Sequence, residues 1–350
     1  MSELNDRPSI APGTDDILGQ QQACRQLWAA VRSDRLHHCY LFEGRQGVGK
    51  ATVALRLAMA ANCEGPPGGP LPCGACRPCR SIAAGQHPDV IELTPAPGKA
   101  SGTITVDQVR EVLRQLALHR HSARRRFIIV DPVDLVRVEA INAMLKTLEE
   151  PPEATGWILV TSRVASLLPT VISRSLRVRF RSVPPADLAP WLARRGLAEP
   201  ERLARLSLGS PGLAIELGGG RLESLAQARD ALVEALSQGP GGLFAYCEKL
   251  SASPRTAWEP KVGLCLDVLE LLLRDAVCCA AGQPERVLDS AQGALAGDWA
   301  ERLWPSGIER MERSLEDARQ RLLLNVPPRL VLEALLSGLV VELGRPKAST

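Results

Sequence analysis

The sequence predicts an α/β domain on a parallel sheet, followed by domains made of helices alone. Three observations carry this. Short, almost wholly apolar runs alternate with helical periodicities as far as Phe180. The first run opens a Gly-rich loop that leads straight into a helix. After Phe180 the strand signals stop and only helical spacing continues.

Taken in order, Cys39–Glu43 is a short apolar strand and Lys50–Ala61 a buried helix. Gly65–Pro72 is a Gly/Pro loop, and Asp89–Leu93 a second strand. Asp107–Leu118 has helical spacing at Val109, Val112, Leu113 and Leu116. Phe127–Asp131 is apolar throughout until its last residue, as a strand covered on both faces must be. Glu139–Glu150 carries Ile141, Met144, Leu145 and Leu148 on one stripe, and Pro151 and Pro152 stop it. Trp157–Thr161 and Val178–Phe180 complete the strands. Val183-Pro184-Pro185 reads as a hinge. Beyond it helices are expected at Asp187–Arg195, Glu199–Leu208, Leu222–Ser237, Leu243–Leu250, Trp258–Ala281, Trp299–Leu323 and Arg329–Leu343. The expected domains are 1–181 (α/β), 182–220 (small and helical) and 221–343 (a helical bundle), with 344–350 a frayed tail.

Composition narrows the class. A chain of 350 residues is long for one domain. Apolar residues at 45% and charged residues at 23% suit a soluble globular protein. Aromatics are only 3%, so the cores must rest on Leu, Val, Ala and Ile. A net charge of +3 is too small to argue by itself for nucleic-acid binding. The opening MSELNDRPSI has no apolar h-region, and no uncharged apolar run reaches spanning length. A cytoplasmic location, away from any membrane, is therefore expected. Of the ten cysteines, Cys24, Cys39, Cys247, Cys265, Cys278 and Cys279 are scattered and read as small core residues.

Residues 44–52 read Gly-Arg-Gln-Gly-Val-Gly-Lys-Ala-Thr. Gly44, Gly47 and Gly49 let the backbone curl round a phosphate, Lys50 supplies charge, and the following helix adds its positive end. The next position of such a loop carries the hydroxyl that holds Mg²⁺, and here it is Ala51. Thr52 does not obviously replace it, because one residue along a helix points roughly 100° away. Asp131 ends a neighbouring strand, where an acid organises the metal of such sites, or else it is an ordinary turn residue. The position after it, a water-activating Glu in hydrolytic relatives of this architecture, is Pro132, and Asp134 lies beyond.

Cys63, Cys73, Cys76 and Cys79 supply four thiols with tight local spacing. Four soft ligands suit tetrahedral Zn²⁺, and a closed set of this kind is a structural clip, not a catalyst. His87 is the one plausible substitute ligand and reads as a loop residue before Pro88. The basic run His119–Arg126 could touch a nucleic-acid backbone. It has no aromatic platform and reads rather as a solvated loop. Arg174, in Ser173-Arg174-Ser175, is taken alone a solvated surface side chain, although a planar guanidinium there could also reach another subunit's phosphate.

Together these pieces resemble the AAA+ clamp-loader family of bacterial DNA polymerase III. The motifs are Gly19-Gln20, Gly44–Lys50, the four cysteines, His87-Pro88-Asp89, the run from Asn142 to Pro152 (NAMLKTLEEPP), Pro169-Thr170 with Ser173-Arg174, and NVPPRLVLEALL at 325–336. The resemblance implies a RecA-like AAA+ sheet domain with a zinc-clip insertion at 63–79, a helical lid and a C-terminal collar. Within the family, motor subunits hydrolyse ATP and delta-prime subunits do not. Ala51, Pro132 and Gly212, the last where a motor carries a phosphate-sensing Arg, all depart from the motor pattern. Gly209-Ser210-Pro211-Gly212 is similar to delta-prime subunits. Arg174 then matches their arginine finger, which acts in trans on a neighbour's ATP, with Ser175 standing where the family has Cys. The implied role is a stator without catalysis of its own, within an assembly whose polymerase activity belongs to the whole. Implied partners are gamma/tau motor and delta subunits in a hetero-pentamer, the sliding clamp and primed DNA, at the replisome or nucleoid. Weak binding of ATP or ADP stays open. The rivals are a motor with its own ATPase and a standalone AAA+ regulator.

Overall fold

The computed structural model describes residues 17–95, 103–117, 123–252, 254–289, 292–303, 306–324 and 326–345. The N-terminal segment read for a leader, Arg120 of the basic run, Asn325 and most of the expected tail lie outside them. Two compact units emerge. One takes the chain to Gly196 together with Ser207–Ile215, and the other takes Leu197–Leu206 with everything from Glu216 onward.

The first unit is built on one parallel sheet. Its strands are β1 (Cys39–Glu43), β2 (Val90–Leu93), β3 (Arg126–Val130), β4 (Thr155–Thr161) and β5 (Leu176–Arg179), in the order β2-β3-β4-β1-β5. With the Gly-rich loop after the first strand, this is the RecA-like AAA+ arrangement that the motifs implied. β1 lies inside the sheet, with Cys39 opposite Trp157 of β4 and Phe42 opposite Val178 of β5. Every residue of β1, β3 and β4 is buried.

Alternation sends each strand's side chains to two cores. Tyr40 and Phe42 of β1, with Phe127, Ile158 and Val178, pack against helices α1 (Gln21–Arg32) and α2 (Lys50–Ala61). Cys39, Leu41, Ile128, Val130, Trp157 and Leu159 face the opposite core, shared with α4 (Val106–Ala117) and α5 (Val138–Glu149). Between α2 and β2 the insertion contributes the short α3 (Arg77–Ala83). Each fully buried Leu, Ile or Phe in these layers is worth about 2 kcal/mol over its exposed state, so the sheet unit is the stable frame for the loops at its rims.

After β4 come α6 (Pro169–Ile172) and, past β5, α7 (Pro185–Ala193), α8 (Pro200–Leu206) and α9 (Pro211–Glu216). The second unit is helical: α10 (Leu222–Ser237), α11 (Gly239–Ser251), α12 (Arg255–Ala280), α13 (Gly293–Leu303), α14 (Ser306–Leu323) and α15 (Pro328–Leu343). The single helix expected over Trp299–Leu323 is two, α13 and α14. Pro305, outside the described residues, stands between them, and proline disfavours the helical geometry of the residue before it. α1 and α3 had no expectation, although α1 buries Ala23, Leu27 and Trp28 at helical spacing and α3 buries Cys79 and Ile82. β4 starts two residues earlier than its apolar run, since Arg126 pairs with Thr155 across the sheet.

Candidate functional site

The phosphate loop leaves β1 at Gly44 and enters α2 at Lys50, with Gly49 left-handed at the helix start (φ 97°). Lys50 is 6% exposed. Its ammonium does not project into open space. It donates to the carbonyls of Gly44 and Arg45, both at 2.6 Å. Burial lowers its pKa, while the charges of Asp131 and Asp134 pull it back up. Ala51 is exposed and its neighbour Thr52, on the same turn of α2, is half-buried.

Asp131 follows the last residue of β3. Burial raises its pKa, Lys50 opposes the rise, and Asp134 and Glu92 add to it. The hydroxyl of Thr161, at the end of β4, donates to Asp134 at 2.7 Å and accepts from the Arg163 N–H at 2.9 Å. So an acid–lysine–hydroxyl arrangement does converge beside the loop. Its neighbour Pro132 offers no base.

The segment around α9 lies directly on the loop. The Gly212 N–H donates to the Gly47 carbonyl at 2.8 Å. Gly47 has φ 74°, and a Cβ there would come 2.3 Å from Ser210 Oγ. A Cβ on Gly212 would come 3.0 Å from the Gly47 Cα and carbonyl. The residue that departs from the motor pattern is thus one whose lack of a side chain lets α9 close on the loop.

Arg174 sits past α6, before the edge strand β5. Its Nε and Nη2 pair with the Glu149 carboxylate, and Nη1 donates to the Thr170 carbonyl at 3.0 Å. Its side chain is 33% exposed. With Glu149, His37, His38, Ser173, Ser175 and Leu176 it lines an open cleft of about 390 Å³. Ser175 is anchored from below. Its hydroxyl donates to the Val171 carbonyl at 2.8 Å and lies 3.2 Å from Cys39 Sγ. The small polar side chain at this position therefore fits its setting.

Cys63, Cys73, Cys76 and Cys79 converge, with all four sulfurs within 4.8 Å of one another. A tetrahedron of zinc–sulfur bonds has sulfur–sulfur edges of about 3.8 Å, so the set suits a metal of that kind with a closure of at most about 1 Å. The backbone prepares it. N–H groups of Gly65 and Cys73 donate to Cys63 Sγ, both at 3.4 Å, and Cys76 N–H donates to Cys73 Sγ at 3.3 Å. The bond from Cys76 is the largest influence lowering the Cys73 thiol to about 6, whereas burial pushes Cys79 and Cys63 up. A cation among them removes the burden of gathering thiolates. A Cβ on Gly65 would stand 2.9 Å from the Cys73 Cβ, so glycine is needed there for the loop to close. His87 is not part of the set. It is buried, and its Nδ1 accepts from the Asp89 N–H at 3.1 Å.

The basic run is a correction. Arg124 is exposed, but Arg125 and Arg126 are not a solvated loop. Arg126 is 3% exposed, pairs with Asp89 at 3.3 Å and donates to the carbonyls of Gln115 and Leu116. Arg125 donates to the carbonyls of Leu36 and His37 at 3.1 and 3.2 Å. These two pin chain segments together, a use that a run of arginines does not advertise.

Residues 19–184 match the family model described as DNA polymerase III, delta subunit. DNA polymerase III subunit delta' of Escherichia coli K12 is 33% identical over 307 residues, 85% of this chain and 86% of that protein. The chain belongs to the DNA polymerase III delta' subunit family. The Bacillus subtilis 168 delta' subunit is 29% identical over 273 residues, 77% of this chain and 80% of the relative. The tau subunit of E. coli K12 is 34% identical over 168 residues, 48% of this chain but only 25% of tau. Likeness to delta' therefore runs along most of this chain, and likeness to tau along half of it. Among the described residues no helix is long and apolar enough to cross a membrane.

Two features of the delta' fold here had no sequence signal. The pairing of Glu149 with Arg174 joins positions 25 residues apart. The seating of Gly212 on Gly47 joins two glycines, which carry no side chain to read. Glu149 stands in the quoted NAMLKTLEEPP run, so its position was visible although its contact was not.

Proposed function

We propose that this delta' family member is a stator of the clamp loader. It supports the assembly that opens the sliding clamp on primed DNA, and it presents Arg174 to the ATP of a neighbouring motor subunit. It hydrolyses little or no nucleotide itself. One observation carries the reading: the two phosphate-seeking cations are deployed oppositely. Lys50 is buried and gives two of its three donors to its own loop, beside a Gly47–Gly212 contact. Arg174, just past a short helix at the sheet rim, lines an open cleft. A guanidinium in such a place can neutralise charge developing on a phosphate supplied by another chain.

On this reading the four cysteines hold a structural zinc, with Cys63, Cys73, Cys76 and Cys79 as a closed ligand set. Gly44, Gly47, Gly49, Lys50, Ala51, Thr52 and Asp131 form an inherited nucleotide cradle in which any ATP or ADP is held weakly. Residues 182–220 act as the lid, and the helices from 221 onward join a collar with motor (gamma/tau) and delta subunits in a pentamer. Exposed Phe244, Leu330 and Val341 on the helical unit suit such a surface. The test is reconstitution with motor and delta subunits, clamp and primed DNA. Arg174→Ala lowers the ATPase of the complex while assembly persists. Strong ATP turnover by the isolated chain, or unchanged turnover in the Arg174→Ala complex, overturns the stator reading.

A further inference from the structure

We propose that Glu149 is the positioning residue for Arg174: it holds the guanidinium in the attitude from which it meets a phosphate of the adjoining subunit. This rests on the reading of Arg174 as a finger acting in trans.

Glu149 is the last residue of α5. That helix is fixed to the sheet by Ala140, Ile141, Met144 and Leu148, all buried in the core beneath it. It ends at Glu149 because Pro151 and Pro152 follow. The carboxylate thus projects from the end of a rigid element. Arg174, by contrast, follows a helix of four residues and has a long, rotamer-rich side chain. Left alone, such a side chain samples many orientations.

The contacts fix one of them. Glu149 Oε1 takes both Nε and Nη2 of Arg174, along the side edge of the planar group. The Thr170 carbonyl takes Nη1 at 3.0 Å. A guanidinium has five N–H bonds, and these contacts engage three of them. The second N–H of Nη1 leans on Ser173 Oγ at a long 3.5 Å, a contact readily exchanged for a charged acceptor, and one N–H of Nη2 is left over, so a phosphate oxygen can draw on both terminal nitrogens. Both residues stand in an open cleft, with Arg174 33% and Glu149 46% exposed, so an incoming anion has access. An exposed pair of this kind contributes little to stability. Its effect is orientational, and it should be read in turnover, not in folding.

The experiment uses the reconstituted complex with motor and delta subunits, clamp and primed DNA, and measures kcat and KM for ATP. The variants are Arg174→Ala, Glu149→Ala, Glu149→Gln and the double Arg174→Ala/Glu149→Ala. Glu149→Ala is expected to lower kcat about tenfold, less than the ~100-fold of a full 1 Å misplacement because Thr170 still holds Nη1, with KM unchanged. Glu149→Gln keeps an acceptor and is expected to fall between wild type and Glu149→Ala. The double variant is expected to match Arg174→Ala alone, because a residue that acts through Arg174 has nothing left to position. If Arg174→Ala lowers kcat while Glu149→Ala leaves it unchanged or raises it, the inference is overturned and the finger reading stands. Additive losses in the double variant overturn it equally. If Arg174→Ala has no effect, the finger reading itself fails and takes this inference with it. Should Glu149→Ala not assemble, Glu149→Gln carries the same comparison.

Discussion

The two ends of strand β1 treat their cations differently. At its C-terminal end the phosphate loop folds Lys50 inward, 6% exposed, with its ammonium on two carbonyls of its own loop. At its N-terminal end, about 17 Å away along an extended chain, His37 and His38 border the cleft from which Arg174 faces solvent. Both ends hang on one sheet, and both carry a residue suited to phosphate. A buried ammonium satisfied by its own backbone has little left to offer a ligand, whereas a guanidinium held along one edge keeps donors free. On the proposed reading, proximity to a Gly-rich loop is a poor guide to which cation meets a phosphate.

The contrast can be broken most sharply at Arg174. In the assembled complex Arg174→Ala should cut ATP turnover about tenfold or more, judged against the larger effect of removing a finger from a single site. The same substitution in the isolated chain should change neither folding nor melting temperature. Metal removal comes next. Elemental analysis should find about one zinc per chain, as a single closed cysteine set requires. Chelation, or Cys76→Ser, should destabilise the C-terminal end of α2, away from the phosphate loop, because Cys63 follows that end and Cys63 and Cys79 share the core of the helix. Hydrogen exchange should then rise in α2 and α3 and stay unchanged around α6. Equal loss of protection in α6 would mean that the cysteine set and the Arg174 cleft are not separate.

Gly47→Ala should cost about 2 kcal/mol in chemical denaturation, from its left-handed backbone and the approach of Ser210. No cost would mean that α9 does not close on the loop in solution. The smallest effect is electrostatic. Burial holds the folded-state pKa of Lys50 below the usual 10.5. Below that value the unfolded chain therefore binds more protons at this site than the folded chain does. Stability should rise with pH through the window that ends near 10.5. Lys50→Met should flatten that part of the pH–stability curve, and an unchanged slope would show that the ammonium is solvated.

Much of this was legible in the chain. Apolar runs such as Phe127–Val130 declare buried parallel strands, because a strand covered on both faces tolerates little else. The Cys63–Cys79 spacing foretold a convergent set, since short intervals leave the thiols few other places to go. Ala51 lacks a hydroxyl and Pro132 a carboxylate, and missing functional groups of this kind are visible as letters. Other features were hidden for equally physical reasons. Arg125 and Arg126 read as solvated charge, yet Asp89 and a set of main-chain carbonyls draw them inside. Trp299–Leu323 read as one helix because periodicity outlasts a single proline.

By itself the sequence determined the parallel α/β frame, the cysteine clip and the family, since each depends on residue type at short or regular spacing. The tertiary structure alone decided that Lys50 turns inward, that Gly212 seats on Gly47 and that Glu149 grips Arg174. These are contacts between distant segments, and their partners are backbone groups or ordinary charges that leave no periodic mark.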